Sequence, residues 1–155
     1  MIRRLESARM RPLEARRTAE EAKETSMTNT FQDIGVARQI GSYSDAVQVP
    51  PHARWLLTAG TPGLALDGSL PKDITGQAEL AWAHVVTMLE RADMTVKDLV
   101  KVTHYLLHAS DIPAYVKVRS RFLGDARPAS MLLVVPNWYG PNSCWRSRRT
   151  RPEPK

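Results

Sequence analysis

At 155 residues the chain is long enough for one domain with its own core, and 43% hydrophobic with 25% charged residues is ordinary for a globular protein. No apolar run approaches the roughly 18 residues of a membrane span, and the first residues lack the apolar stretch of a secretory signal. One cysteine excludes an internal disulfide and a cysteine-built zinc site, and a reducing, cytoplasmic setting is expected. The net charge of +6 sits at the two ends: residues 27–143 hold ten bases against ten acids. With so neutral a body, neither a nucleic acid nor a membrane surface is an expected partner.

In chain order, residues 1–26 form a charged extension without aromatics, interrupted by Pro12, which is expected to be disordered or not translated, with synthesis beginning at Met27. The pattern becomes globular over residues 27–143. The turn-like Gly41-Ser42-Tyr43-Ser44 precedes a short strand around Val47–Val49. Trp55–Gly60 is a short apolar run closed by Thr61-Pro62-Gly63, which reads as a buried strand. Asp67-Gly68 marks a turn. Ala78, Ala81, Trp82, Val85 and Leu89 recur at helical spacing and predict a helix from about Thr75 to Ala92, with Thr75 as N-cap. Leu99–Leu107 alternates as a core strand, and Ile112–Leu123 returns to helical spacing before a capping Gly124. Ser130–Pro136 is a third apolar strand. This order gives an α+β class, a mixed sheet backed by two helices. A further strand is expected after Pro136, yet residues 144–155 are a basic tail without alternation.

Several of these segments, in register, resemble the RidA (YjgF/YER057c/UK114) family, also labelled endoribonuclease L-PSP. Gly41-Ser42-Tyr43-Ser44-Asp45-Ala46 is similar to its opening motif, and Leu57-Thr58-Ala59-Gly60-Thr61-Pro62 to its glycine strand end. Gln77 falls at its helix start. Leu99-Val100-Lys101-Val102-Thr103, and Phe122-Leu123-Gly124 followed by Arg127-Pro128-Ala129, match the segments before and at its site strand. The likeness covers roughly residues 31–142. It implies a chorismate-mutase-like single domain, a homotrimer, and clefts between neighbouring subunits. There, reactive imines or enamines are hydrolysed to keto compounds and ammonia without cofactor or metal. An iminium carbon is already electrophilic, so such a site holds the substrate and delivers a water. On this resemblance the cleft candidates are Tyr43, Ala59, Gly60, Arg127 and Ser130, while the catalytic residue is left unassigned.

Two positions depart from the family. Its carboxylate-binding arginine directly follows Pro-Ala, where this chain has Ser130. Replacing a charge-assisted bidentate contact by one hydroxyl costs about 2–5 kcal/mol of binding. Arg127 is the nearest cation in sequence, although a turn before a strand favours solvent exposure. The family's closing strand with its glutamate is absent. One codon assignment for the residues after Asn142, read one base back, gives Leu-Leu-Leu-Glu-Val-Glu-Ala, which alternates as that strand should, so the tail fits a reading-frame slip.

The remaining candidates read more simply as structure. His104 shares the parity of Val100, Val102 and Leu106 and is expected to be a buried or interface histidine. His108 is four residues on but outside helical geometry, so the pair is not a metal motif. His84 lies among apolar helix neighbours and is expected to pack. Cys144 has no partner base, and Trp138-Tyr139 fit interface packing as well as a cleft cap. A non-catalytic trimer capturing a small imine, enamine or keto-acid-like ligand is the main rival to a deaminase. An RNA-acting protein is the third.

Overall fold

A helix buries one apolar stripe when its apolar residues recur about 3.6 apart, and the described residues include two long helices of this kind. The computed structural model describes residues 28–135. The extension 1–26, the tail 144–155, Trp138, Tyr139 and Cys144 lie outside the described residues.

The described region starts with a small antiparallel ladder of β1 (Thr30–Gln32) and β2 (Ala46–Gln48), pairing Phe31 with Val47. Between them lies a single helical turn, α1 (Ala37–Ile40), closed by Gly41 N–H on the Ala37 carbonyl at 2.9 Å. Both β1 and α1 are too short to carry a period in sequence. The Asp45 carboxylate holds this corner by accepting from the N–H groups of Ile34 and Ala37, each at 2.8 Å.

Next comes α2 (Ile74–Arg91), which buries Ala78, Trp82 and Leu89. Its cap is Asp73 and not Thr75: the Asp73 side chain, on extended backbone, accepts from Gly76 N–H at 2.9 Å. Carboxylates and hydroxyls compete for the N-cap, and here the residue before the β-branched pair Ile74-Thr75 takes it.

A short 3₁₀ turn, Val96–Asp98, leads into β3 (Lys101–Leu106). The chain then crosses through α3 (Ile112–Leu123) to β4 (Ala129–Val134), which runs parallel to β3 with Lys101 beside Ala129 and Leu106 beside Val134. Parallel strands need such a crossover. Pro113 sits in the first turn of α3, where its missing N–H is harmless. Gly124 ends the helix at φ +53°, a conformation that favours glycine. A parallel bridge between Ser44 and Ala129 ties the first ladder to the second. The result is an α+β unit of mixed strand direction. Its helices pack on the sheet through Ala78, Trp82, Leu106, Tyr115, Val118 and Leu123, with the Trp82 and Phe122 rings stacked at 6.2 Å.

One expected strand does not form. Trp55–Gly60 is not part of any ladder; Trp55 is 59% and Leu57 85% exposed. An apolar run becomes a strand only when another strand satisfies its backbone, and none of the described strands lies beside it. Instead the segment forms one flank of an open cavity. No helix among the described residues is long and apolar enough to cross a membrane.

Candidate functional site

The corner fixed by Asp45 presents Gly41–Ser44 as a turn, and the Ser44–Ala129 bridge sets that turn against the first residues of β4. Burial pushes the Asp45 carboxyl up, but the backbone N–H groups of Ile34 and Ala37 outweigh it and hold it below the usual carboxylate range. The turn therefore stays anchored to an ionised group at neutral pH. Tyr43 and Arg127 meet here, lining a hollow of about 440 Å³ with Ser42, Ser44 and Arg38. Arg127 is exposed and folds back, donating through Nη1 to the Gly124 and Ala126 carbonyls at 3.0 and 3.2 Å.

Ala59 and Gly60 lie elsewhere. They line the open cavity, about 2330 Å³, between the Trp55–Gly60 segment and β3, floored by α2 at Gln77 and Trp82. Within one chain the five cleft candidates thus fall into two groups. Ser130 stands between them: it lies at the start of β4, and through His104 it connects to the larger cavity.

That connection is the most developed polar arrangement in the described region. His104 faces the helices from β3 and is buried, as its parity with Val102 and Leu106 leads one to expect. Its Nε2 lies 3.0 Å from Ser130 Oγ, and the Tyr115 hydroxyl from α3 sits against its Nδ1. Burial lowers the His104 pKa to about 4, helped by the charge of Arg119, so the ring is neutral at pH 7. Burial pushes the Tyr115 phenol up to about 12.

Arg119, one turn beyond Tyr115, is 7% exposed. It donates from Nη2 to the Ser42 carbonyl at 3.2 Å, while its buried Nε has no partner. Burial lowers its pKa as well. Sequence reading missed Tyr115 and Arg119 as site residues, because both fit the helical period. The available signal was a cation inside an otherwise apolar stripe. His84, expected to pack, does so while also bonding the Leu64 carbonyl at 2.7 Å, which ties the loop after Gly60 to α2. Among the described residues, no three His, Cys, Asp or Glu side chains converge as a metal site would need.

A parallel β3–α3–β4 crossover, a second long helix and a turn docked on the last described strand define a small α+β protein with a candidate ligand cleft at the turn. The family model described as Endoribonuclease L-PSP matches residues 35–140. The chain belongs to that family, to which the RidA and YjgF/YER057c/UK114 names also apply. A RutC family protein of Pyrococcus abyssi is 30% identical over 100 residues, covering 63% of this chain and 76% of its own. Among solved structures, a Yersinia pestis protein of the Rid family aligns with a TM-score of 0.63 at 19% identity, over 74% of this chain and 91% of that one. A Mycobacterium tuberculosis member of the YjgF/YER057c/UK114 family gives 0.50 at 24% identity, over 74% and 90%. At these identities the two structures establish the fold.

Proposed function

We propose that this chain acts on small reactive imines or enamines, hydrolysing them to keto compounds in a cleft between subunits of a cytoplasmic homotrimer. The observation that carries this reading is the docking of the Tyr43 turn onto β4 beside Ser130, which stands at the position of the family's arginine, with Arg127 the nearest cation. Support for assembly comes from the sheet face opposite the helices. There Tyr105 is 47% and Leu133 41% exposed, opposite one another in the β3–β4 register, with Leu107 and Met131 alongside. Contiguous apolar surface of this kind usually marks an interface.

The reaction is balanced by water alone. Water oxygen bonds to the C=N carbon, the nitrogen takes up protons, and the C–N bond breaks to release ammonia and a C=O group. The protein's part is to hold the substrate and orient the water.

A second reading, capture of the same ligands without turnover, is favoured by one observation. Ser130 brings a neutral hydroxyl, already engaged with His104, to the position of the family's arginine. A coupled assay separates the two. An amino-acid oxidase or a threonine dehydratase supplies the imine, and keto-acid appearance is followed with and without the chain. Acceleration is expected, reduced in Tyr43→Phe and Ser130→Ala. No acceleration by a chain shown to be trimeric sinks the deaminase, and full activity in both variants would put the chemistry elsewhere.

A further inference from the structure

The hydrogen bonds that reach Ser130 have a direction that chemistry fixes. The Tyr115 proton is buried and has one acceptor among the described residues, His104 Nδ1. A neutral imidazole carries one proton, so with Nδ1 accepting, that proton sits on Nε2 and is donated to Ser130 Oγ at 3.0 Å. The Ser130 proton then cannot return to the histidine and must point away from it. The opposite arrangement, a bare Nε2 drawing the proton from a nucleophilic serine, would leave the buried Tyr115 proton without an acceptor, at the desolvation cost of an unsatisfied donor.

We propose that Tyr115 and His104 are positioning residues that lock Ser130 as a one-way hydrogen-bond donor, and that its ligand offers an uncharged acceptor, a carbonyl oxygen or imine nitrogen. The depressed basicity of His104 supports this, since a ring protonated at pH 7 would donate from both nitrogens and displace the Tyr115 proton. The groups facing the ring are Tyr115 and Arg119 from α3, Trp82 from α2 and Ser130 from β4. A single neutral donor differs from a guanidinium in what it selects: it rewards a lone pair and is nearly indifferent to a carboxylate's charge. Hydrogen-bond donation to an imine nitrogen also draws electrons from the carbon that water attacks. The ligand half of the proposal rests on the cleft reading of Ser130 given above; the direction of the hydrogen bonds stands apart from it.

The test uses the full chain labelled with ¹⁵N-histidine, because long-range proton–nitrogen correlation distinguishes a bare ring nitrogen from a protonated one. At pH 7, His104 is expected to carry its proton on Nε2, and Tyr115→Phe should raise the share of the Nδ1-protonated form, a change that a purely structural role would not produce. Nδ1 protonated in the parent overturns the lock. Ligand preference is read by chemical-shift titration with 2-oxobutanamide and 2-oxobutanoate. The two should bind within about threefold of each other. Ser130→Ala should weaken both about fivefold, the loss of one neutral hydrogen bond, and Ser130→Thr should restore them. A preference of tenfold or more for the carboxylate, unchanged binding in Ser130→Ala, or no binding of either probe overturns the ligand assignment. Deaminase activity is judged separately by the coupled assay, so either reading can fail while the other stands.

Discussion

Arg119 occupies a place in the α3 stripe where its neighbours Tyr115, Val118 and Leu123 are buried. Its guanidinium has the Ser42 carbonyl as partner, and no carboxylate of the described residues lies within ion-pair distance. A buried charge without a counter-ion is destabilising, and an apolar side chain of similar length is often tolerated or better. Arg119→Met is therefore expected to melt at the parent's temperature or above. A fall of more than about 5 °C would mean that the bond to Ser42 outweighs the desolvation of the charge. The same substitution removes the charge that adds to burial in holding His104 near 4, so the His104 pKa should rise toward 6.5 in an NMR titration. That pKa also sets a pH dependence. The folded value lies below the unfolded one, so the unfolded chain takes up the extra proton. Stability is complete above pH 6.5 and declines as the pH falls through 4, by on the order of 3 kcal/mol. Urea unfolding at pH 7 and pH 4.5 measures this. The parent should lose more than His104→Gln, and equal losses would remove His104 from the acid sensitivity.

The loop between Gly60 and α2 has a tight point at Gly63, where an added Cβ would lie 2.1 Å from the Gln77 carbonyl oxygen. Backbone cannot yield as a flexible side chain would, so Gly63→Ala should destabilise by about 1–3 kcal/mol in chemical denaturation and shift the amide signals of Gly60 and Gln77. A neutral result would mean that the loop moves freely over the helix. That contact, like the His84 bond to Leu64, joins residues about fourteen or twenty positions apart, and this separation explains what the sequence alone could show. Ile112–Leu123 and the long helix before β3 were legible to within a residue, because a helix is made of contacts three and four residues away. The parallel strands were legible too, Leu99–Leu107 from its alternation and Ser130–Pro136 from its apolar run. Trp55–Gly60 was misread because its strand pattern depends on a partner that local sequence does not contain. Tyr43, Arg127 and Ser130 could be nominated from motif resemblance, whereas the His104–Ser130 bond spans 26 residues and Arg119–Ser42 spans 77, beyond the reach of any periodicity.

Among the described residues the strands form two two-stranded ladders joined by the Ser44–Ala129 bridge. β3 has β4 on one side; on the other lies the open cavity, with the unpaired Trp55–Gly60 segment as its far flank and the apolar side of α2 beneath. An exposed edge facing an extended apolar segment over an apolar floor has the form of a missing strand. Filling it would pair backbone on both flanks and cover Ala81 and Val85 from above. The chain leaves β4 with Val135 N–H on the Leu106 carbonyl at 2.8 Å, at the end of β3 from which a returning strand could enter. The segment that one codon assignment gives when read one base back after Asn142, Leu-Leu-Leu-Glu-Val-Glu-Ala, has the alternation such a strand needs: one face apolar toward α2, the other bearing carboxylates. A chain carrying that segment in place of the basic tail is expected to melt higher than the parent. Each kcal/mol gained should be worth roughly 2–8 °C. Amides of Lys101–Leu106 and of Trp55–Gly60 should gain hydrogen-exchange protection together, because one inserted strand would pair with both. A control segment shifted by one residue, which turns the glutamates toward α2, should gain neither. Equal melting and exchange in all three chains would show that the cavity is not a strand site. Protection confined to the unshifted segment would identify the cavity as the place of the closing strand and bring a glutamate back to the fold.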